Sequence, residues 1–289
     1  MELHYKNSAS VTEDDLKKTA HSLTEYREYL NKILGHENYD VPECSINLAI
    51  DQQIMPVIKV IKKSKDSEKL KYIFVIGIGG SSLGTKAIYD AIFGFTDAID
   101  INRFPKLIFL ETTDPEYLRR LRNFIDLEIT DPNQVLLNII SKSGTPTETI
   151  ANAEIIMAAL EKKFSTQQIE DRIVVTTDEN SKLWQCADSK KISKLPIPAA
   201  IGGRYSVFSQ VGLFPLSFTP INIESLCEGA ATMRKNCVEN DLDQNPAMIS
   251  ATLLFLNLKA GKNINDNFFF APQLESAGKW YRQLMGESI

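Results

Sequence analysis

Two short loops carry the side chains and backbone features that could hold a phosphate. The first is the turn Gly77-Ile78-Gly79-Gly80, which is followed by Ser81 and Ser82. Glycines let a ligand approach the backbone closely, and N–H groups at a helix start favour negative charge. The second loop, residues 141–148, reads SKSGTPTE and supplies four hydroxyls and a lysine. The two loops together predict an anion site, most simply for a phosphate.

Neither loop is a standard nucleotide motif. A dinucleotide fingerprint requires a third glycine where Ser82 stands, and a P-loop requires Gly-Lys-Ser/Thr, whereas Thr85-Lys86 follows Gly84 here. Two structural alternatives remain open. The first turn could simply join a strand to a helix, and the hydroxyls of the second could simply cap one.

The second loop has a helical interpretation of its own. Pro146 suits the first turn of the helix that follows, which would place Ser143 and Thr145 near the N-cap. Capping explains a single hydroxyl well. It explains Ser141, Lys142 and Ser143 together less well.

Each loop follows an apolar run that is typical of a buried parallel strand. These runs are 72–76 and 135–140, and further strands are predicted at 107–110, 173–176 and 192–195, with helical patterns between them. The alternation predicts a doubly wound, flavodoxin-like α/β fold: a parallel five-stranded sheet with helices on both faces. In the order 2-1-3-4-5 the first and third strands are neighbours, so the two loops would flank one ligand crevice.

A dinucleotide site is the main rival at this crevice. It would favour an acid at the end of the second strand, and Glu111 stands there. A pyrophosphate, however, does not require a hydroxyl-rich second loop, so this alternative ranks lower.

The flanking segments are predicted to be mainly helical. Residues 12–34 form an amphipathic pattern in which Thr12 and Asp15 resemble a capping box, and a second helix is expected over 45–63, bent at Pro56. A further strand is expected at 267–271. We predict an N-terminal helical segment (1–66), a first α/β domain (67–197), and a linker with the incomplete start of a second such domain (198–289).

Composition limits the classes of partner. The 289 residues carry a net charge of −5 and 43% hydrophobic residues, which argues against nucleic acid or an anionic membrane as the main partner. The N-terminus lacks the apolar core of a signal peptide and no run approaches membrane length, which predicts a soluble cytoplasmic protein. The four cysteines show no C-x-x-C spacing and the three histidines lie away from any cysteine cluster. We therefore expect no zinc site and reduced, buried cysteines.

Four motifs, in this order along the chain, resemble the glucose-6-phosphate isomerase family. The two loops match the Gly-Ile-Gly-Gly-Ser and Ser-Lys-Ser-Gly-Thr patterns of sugar isomerase domains. Residues 201–206, Ile-Gly-Gly-Arg-Tyr-Ser, resemble the family's first signature, and residues 280–288 resemble the start of its second. The similarity covers the chain from about Tyr72 to its end, and the Gly-Gly-Arg-Tyr-Ser segment is more specific than either glycine loop.

The resemblance implies a role for each matching residue. The glycine turn, with Gly79 and Gly80, belongs to the substrate site. The side chains that would hold the phosphate are Ser81, Ser141, Lys142 and Ser143, with Thr145 as a further candidate. Gly203 and Arg204 would lie over C1 and C2 of the sugar, where the fixed cation suits a developing enediolate. Glu148 and Gln283 would line the sugar pocket, and Glu287 would be the base that moves a proton between C2 and C1.

Glu275 is an alternative to Glu287 as the base. Glu275 begins a Glu-Ser-x-Gly-Lys sequence that looks like the family's base motif. Glu287 is preferred because Gln283 stands four positions before it, as in the family pattern. Pro146 departs from the family, in which another threonine usually stands there, so one phosphate hydroxyl is expected to be lost.

The resemblance also implies a reaction and its partners. Family members interconvert glucose 6-phosphate and fructose 6-phosphate without a metal or nucleotide cofactor, and they are homodimers. This sequence ends at Ile289, where relatives continue with a Gly-Lys pair, and no histidine follows His36. We therefore expect an N-terminal portion with weak substrate binding and little turnover. Two other classes stay open: a non-catalytic sugar-phosphate-binding regulator and a dinucleotide-binding oxidoreductase.

Overall fold

Five parallel strands form the sheet that carries the predicted loops. The strands are β1 (Tyr72–Ile76), β2 (Lys106–Leu110), β3 (Val135–Ile140), β4 (Ile173–Thr177) and β5 (Ser193–Pro196). Their order is β2-β1-β3-β4-β5, as predicted, and Tyr72 of β1 is in register with Lys106 of β2 and Val135 of β3. The molecule is known from a computed structural model that describes residues 3–289, the side chain of Phe95 excepted.

Helices precede, connect and follow the strands. Before and between the strands they are α1 (Glu13–His21), α2 (Thr24–Ile33), α3 (Ile54–Lys65), α4 (Leu83–Phe93), α5 (Pro115–Glu128), α6 (Thr147–Leu160), α7 (Thr166–Glu170) and α8 (Lys182–Ser189). After the sheet they are α9 (Gln210–Leu216), α10 (Ile223–Asn236), α11 (Pro246–Lys259) and α12 (Glu275–Gly286). The α/β fold predicted from the alternating pattern is thereby confirmed.

The chain divides into two compact units. One contains the described residues up to Ile50 together with Glu224–Phe268, and the other contains Asp51–Ile223 together with Phe269–Ile289. The sheet and all the predicted site residues belong to the second unit. The domain boundaries expected from the sequence, at 66/67 and 197/198, stay a prediction.

An apolar layer on one face fixes the sheet in the second unit. The strand side chains of this layer include Phe74, Ile76 and Leu137, all fully buried, and α6 adds Ile156. The alternate strand residues, such as Ile73, face the other side of the sheet and are fully buried as well, which explains why these runs are continuously apolar in the sequence. The carboxyl ends of β1 and β3 are therefore held side by side by the core.

Two helix predictions were wrong in their extent. The expected helix over 12–34 is interrupted between α1 and α2, where the Ser22 hydroxyl donates to Thr19 O (2.6 Å) and the Thr24 hydroxyl donates to His21 O (2.8 Å). These side chains compete with the backbone for its carbonyls. The Thr12 cap was predicted correctly, since its hydroxyl accepts from the Asp15 N–H at 3.1 Å.

The expected helix over 45–63 is also two elements. A 3₁₀ helix covers Pro42–Ile50, and α3 begins only after Asp51, whose carboxylate accepts from the Gln53 N–H at 2.8 Å. Pro56 consequently lies in the first turn of α3, where its missing N–H costs no helical hydrogen bond.

The strand expected at 267–271 was wrong. These residues have no regular secondary structure, and the Phe268 and Phe270 side chains are 82% and 98% exposed. An apolar run forms a strand only beside another backbone that completes its hydrogen bonds, and among the described residues no strand pairs with this one. The expectation of buried cysteines also fails for Cys186, which is exposed.

No helix among the described residues has the length and hydropathy required to cross a bilayer.

The buried layer predicts a large difference between two leucines. Leu137 in β3 is fully buried, so Leu137→Ala should lower the free energy of unfolding by about 2–5 kcal/mol through lost burial and a cavity. Leu127 in α5 is 76% exposed, and Leu127→Ala should change it by less than about 0.5 kcal/mol. Urea denaturation followed by circular dichroism measures both. Equal losses would show that the sheet core does not limit stability.

Candidate active site

An open cleft lies at the carboxyl ends of β1, β3 and β4. Its volume is about 580 Å³, and its lining residues are Ile78, Ser81, Ile140, Ser141, Lys142, Ser143, Pro146, Thr149, Asp178, Asn180 and Ser181. Ser81 and Ser143 come from different loops and line the same cleft. The crevice between the first and third strands therefore exists where the topology predicts it.

The loop after β3 is folded around Gly144. This residue has φ +69°, a left-handed conformation that glycine adopts readily. The Gly144 N–H donates to Ser141 Oγ (3.1 Å), and the hydroxyls of Ser143 and Thr145 are 2.8 Å apart. Among the described residues no acidic side chain pairs with Lys142. The loop thus presents hydroxyls and a cation, a set suited to an anion.

Helix α6 begins at the edge of this cleft. Pro146 is the N-cap residue of α6, one position earlier than predicted, because its ψ of 117° is extended rather than helical. No side chain caps the helix. The first-turn N–H groups of α6 are therefore left for other acceptors, and the positive end of the helix dipole favours an anion there.

The loop after β4 is a third part of the cleft that the sequence analysis missed. The Thr177 hydroxyl donates to Ser141 O (2.6 Å), and the Asp178 N–H donates to Lys142 O (3.2 Å). These bonds hold the backbone of the loop after β3. Asp178, Asn180 and Ser181 line the cleft themselves. A signal was present, because this polar run follows a strand that neighbours β3.

The glycine turn after β1 touches the Gly203–Phe208 3₁₀ helix directly. A Cβ atom on Gly80 would lie 2.1 Å from Gly203 C and 2.3 Å from Arg204 N, far inside van der Waals contact. The Ser206 hydroxyl donates to Gly203 O at 2.7 Å and lies 3.4 Å from Gly80 O. Only glycine at position 80 allows the two backbones to approach this closely.

Beside this contact, a guanidinium meets a carboxylate. Arg204 Nη1 lies 3.2 Å from Glu287 Oε2, and Gln283 Nε2 donates to Glu287 Oε1 at 2.8 Å. Arg204 Nε also donates to Ser288 Oγ at 3.0 Å. The Glu287 side chain is 49% exposed, so the carboxylate is oriented on both oxygens yet open to a ligand.

Helix α12 carries Gln283, and Glu287 follows its last residue. Two hydrogen bonds fix α12 to the rest of the second unit. Trp280 Nε1 donates to Arg204 O at 2.9 Å, and the Ser276 hydroxyl donates to the Asp90 carboxylate on α4. Burial raises the pKa of Asp90, although the Ser276 hydrogen bond opposes that shift. The position of Glu287 therefore depends on how α12 packs against α4.

Gln283 also lies against the glycine turn. A Cβ atom on Gly79, whose φ is +56°, would lie 2.8 Å from Gln283 Nε2. In the described part of the chain no donor meets the buried Oε1 atom of Gln283. A buried acceptor without a partner costs free energy.

Comparison with known proteins places this arrangement in a family. Residues 42–288 match the family model for phosphoglucose isomerase. This chain belongs to the phosphoglucose isomerase family. The chain is 33% identical over 242 residues to a glucose-6-phosphate isomerase of Carboxydothermus hydrogenoformans, and 30% identical over 281 residues to that of Bacillus cereus. It covers 51% and 59% of those two proteins, so it spans about half the length of the curated relatives it matches.

A solved structure has a similar fold. A hypothetical protein from Thermus thermophilus superposes with a TM-score of 0.78 at 26% identity. The superposition covers 96% of this chain and 62% of that one. The sugar isomerase fold of this phosphoglucose isomerase family member is thus supported by sequence and by structure.

Neither Glu148 nor Glu111 is among the residues that line the cleft. Glu148 is exposed on the first turn of α6, and it is not among the lining residues, although its neighbours Pro146 and Thr149 are. Glu111, the acid that a dinucleotide site would use, instead pairs with Lys86 and accepts from the Ser82 hydroxyl (3.1 Å). A carboxylate that already has two protein partners is poorly placed to bind a ribose.

The Gly80–Gly203 contact predicts a position-specific effect of an added methyl group. Gly80→Ala should force the two loops apart and weaken binding of 6-phosphogluconate, a sugar phosphate with a carboxylate at its C1 end, by more than tenfold in calorimetry. Gly229→Ala, in α10 with no atom near its Cβ position, should leave binding unchanged and stabilise the helix by about 0.5–1 kcal/mol. Unchanged binding by Gly80→Ala would contradict the steric argument.

Proposed function

We propose that this protein interconverts glucose 6-phosphate and fructose 6-phosphate through a cis-enediol, as an aldose–ketose isomerase of glycolysis and gluconeogenesis. The observation that carries the proposal is the Arg204–Glu287 contact of 3.2 Å beside Gly80, since the next residue, Ser81, lines the anion cleft. One molecule can then bind through its phosphate and present its other end to a cation and a carboxylate.

The phosphate end is assigned to the cleft. Ser81, Ser141 and Ser143 supply hydroxyl donors, Lys142 supplies a positive charge, and the start of α6 supplies N–H groups. Charge-assisted hydrogen bonds of this kind are the strong ones, and a phosphate dianion accepts several at once. Thr145 can take part through its contact with Ser143, whereas Glu148 lies at the margin of the cleft.

The carbon end is assigned to Arg204, Gln283 and Glu287. The Glu287 carboxylate removes the proton from C2 of the aldose and returns it to C1, so the C2–H bond breaks and a C1–H bond forms. The proton on O2 passes to O1, and no electrons leave the substrate. Negative charge develops on the enediolate oxygens, and the Arg204 guanidinium is a fixed cation for that charge. The Gln283 amide orients the carboxylate through a hydrogen bond of 2.8 Å.

The names of the relatives support this assignment. Those from Carboxydothermus hydrogenoformans and Bacillus cereus are called glucose-6-phosphate isomerase. The homodimer implied by the resemblance, and a cytoplasmic location, belong to the same proposal. Sedimentation equilibrium tests the dimer. NADH fluorescence titration tests the oxidoreductase alternative, and we expect no saturable change.

Two substitutions should show which end of a bound sugar phosphate each part of the site contacts. Ser143→Ala should weaken both inorganic phosphate and 6-phosphogluconate by a similar factor of about 2–10, since it removes one hydroxyl from the phosphate end. Arg204→Ala should weaken 6-phosphogluconate by about 10–100-fold and inorganic phosphate hardly at all, since the lost charge faces the carbon end. Isothermal titration calorimetry measures all four affinities.

Matched controls are available within the sheet unit. Ser189→Ala removes an exposed hydroxyl whose described partner is Cys186 O, and Arg120→Ala removes an exposed arginine that pairs with Glu116. Both should leave the two affinities unchanged. If Arg204→Ala weakened the two ligands equally, the two-ended assignment would be wrong.

Proton transfer is predicted to depend on Glu287. Glu287→Gln keeps the size of the side chain and removes the base, so incorporation of solvent deuterium at C1 and C2 should slow by about 10²–10⁴-fold. Nuclear magnetic resonance of the sugar phosphate in D₂O detects slow exchange that a coupled turnover assay would miss. Binding of 6-phosphogluconate should change by only a few fold.

The control for this substitution is Glu275, the first residue of α12. Glu275 pairs with Lys279 at 2.8 Å on the opposite end of the helix, so Glu275→Gln should leave deuterium exchange unchanged. Exchange that survived Glu287→Gln and disappeared in Glu275→Gln would transfer the role of base to Glu275.

A further inference from the structure

A histidine, an aspartate and a cysteine cluster in the first compact unit, which contains the described residues up to Ile50 and Glu224–Phe268. His36, Asp40 and Cys44 each offer a ligand atom, and these atoms all lie within 4.8 Å of one another. The residues are spaced four apart, an arrangement that C-x-x-C searches do not detect. The fold brings them together because the chain turns between the end of α2 and the Pro42–Ile50 3₁₀ helix.

We propose that His36, Asp40 and Cys44 form a zinc site. A thiolate, an imidazole and a carboxylate are the ligand types that Zn²⁺ takes, whereas Mg²⁺ and Ca²⁺ prefer oxygen ligands alone. The two anionic ligands balance the dication. Three protein ligands leave the fourth tetrahedral position for water.

The distances between the ligand atoms fit this metal. Zinc bonds of about 2.0–2.3 Å at tetrahedral angles place neighbouring ligand atoms roughly 3.3–3.6 Å apart. Cys44 Sγ lies 3.4 Å from Asp40 Oδ1, and His36 Nδ1 lies 3.7 Å from the same oxygen. The remaining separation, between sulfur and nitrogen, is at most 4.8 Å. The ligands therefore need to close by about an ångström along one edge only.

The surrounding contacts hold the cluster in place and leave it accessible. Asn47 Nδ2 donates to His36 O at 3.1 Å and to Ile33 O at 2.8 Å, and Arg234 donates to Asn47 Oδ1 at 2.7 Å. Cys44 is fully buried, which fixes its sulfur, whereas the His36 and Asp40 side chains are 42% and 64% exposed. A metal can thus enter from the His36 and Asp40 side and reach a pre-positioned thiol.

The competing explanation requires no metal. In that case the Cys44 thiol donates a weak hydrogen bond to Asp40, and His36 adds an ion pair when it is protonated. The ion pair is worth little because both of its side chains are exposed, and a thiol is a weak hydrogen-bond donor. The two explanations differ in one observable, which is saturable binding of a tetrahedral metal through sulfur.

Co²⁺ is the probe for this site, since its visible spectrum reports both geometry and thiolate bonding. The full 289-residue chain, freed of metal by chelation and kept reduced with a phosphine, is titrated with Co²⁺ and then with Zn²⁺. We expect tetrahedral d–d bands and a sulfur-to-cobalt band that saturate at one equivalent and vanish when Zn²⁺ is added. Zn²⁺ should also raise the melting temperature, as any ligand of the native state does.

Variants make the test specific. His36→Ala and Asp40→Asn change exposed side chains that are not expected to limit folding, and each should weaken Co²⁺ binding at least tenfold. Cys44→Ser should abolish the sulfur-to-cobalt band, with its fold checked by circular dichroism because the residue is buried. The matched controls His21→Ala and Cys186→Ser alter an exposed histidine and an exposed cysteine outside the cluster, and they should bind like the parent.

The outcomes that would overturn the proposal are equally specific. They are the absence of a saturable cobalt spectrum in the parent chain, binding that survives His36→Ala and Asp40→Asn, or loss of the sulfur band in Cys186→Ser. The cluster lies outside the second compact unit, which contains the sheet and the proposed sugar-phosphate site. These results therefore do not depend on whether the chain binds a sugar phosphate.

Discussion

The site depends on a contact between two backbones that leaves no room for a side chain. Gly80 and the Gly203-Arg204 peptide approach so closely that a Cβ at position 80 would lie 2.1 Å from the Gly203 carbonyl carbon. This contact joins the turn after β1, and hence the anion cleft, to the segment that carries Arg204. In the proposed function, this contact helps to set the separation between the phosphate end and the carbon end of the site. Specificity for a molecule with groups at both ends requires that separation.

The two ends of the site are built on supports of different kinds. The anion cleft is formed by loops that follow β1, β3 and β4, and these strands are fixed by the buried apolar layer. The carbon end relies on α12, which is positioned by hydrogen bonds from Trp280 and Ser276 and by packing on α4. A change in the packing of α12 would therefore move Glu287 without moving the loops after β1, β3 and β4. Precise positioning is demanded mainly where a proton is transferred.

The sequence predicted those features that arise from local patterns. Buried runs predicted the strands, and their alternation with helices predicted the order that brings Ser81 and Ser143 into one cleft. Features that depend on competition between neighbours were not predictable in the same way. Ser22 and Thr24 end a helical pattern that looked continuous, and 267–271 reads as a strand but lacks a pairing partner. The loop after β4 was missed although its polar run follows a strand that neighbours β3, because the hydrogen bonds by which it holds the loop after β3 have no sequence motif.

Helix geometry favours Glu287 over Glu275 as the proposed base. Glu275 and Glu287 are twelve residues apart, which along a helix is roughly 18 Å, so one substrate carbon cannot lie beside both. Glu275 is the first residue of α12 and pairs with Lys279 at 2.8 Å, at the end of the helix far from Arg204. Gln283 precedes Glu287 by four residues and therefore lies on the same face of the helix, which is the face that meets Gly79. The spacing that made Glu287 the preferred base in the sequence is thus the spacing that turns it toward Arg204.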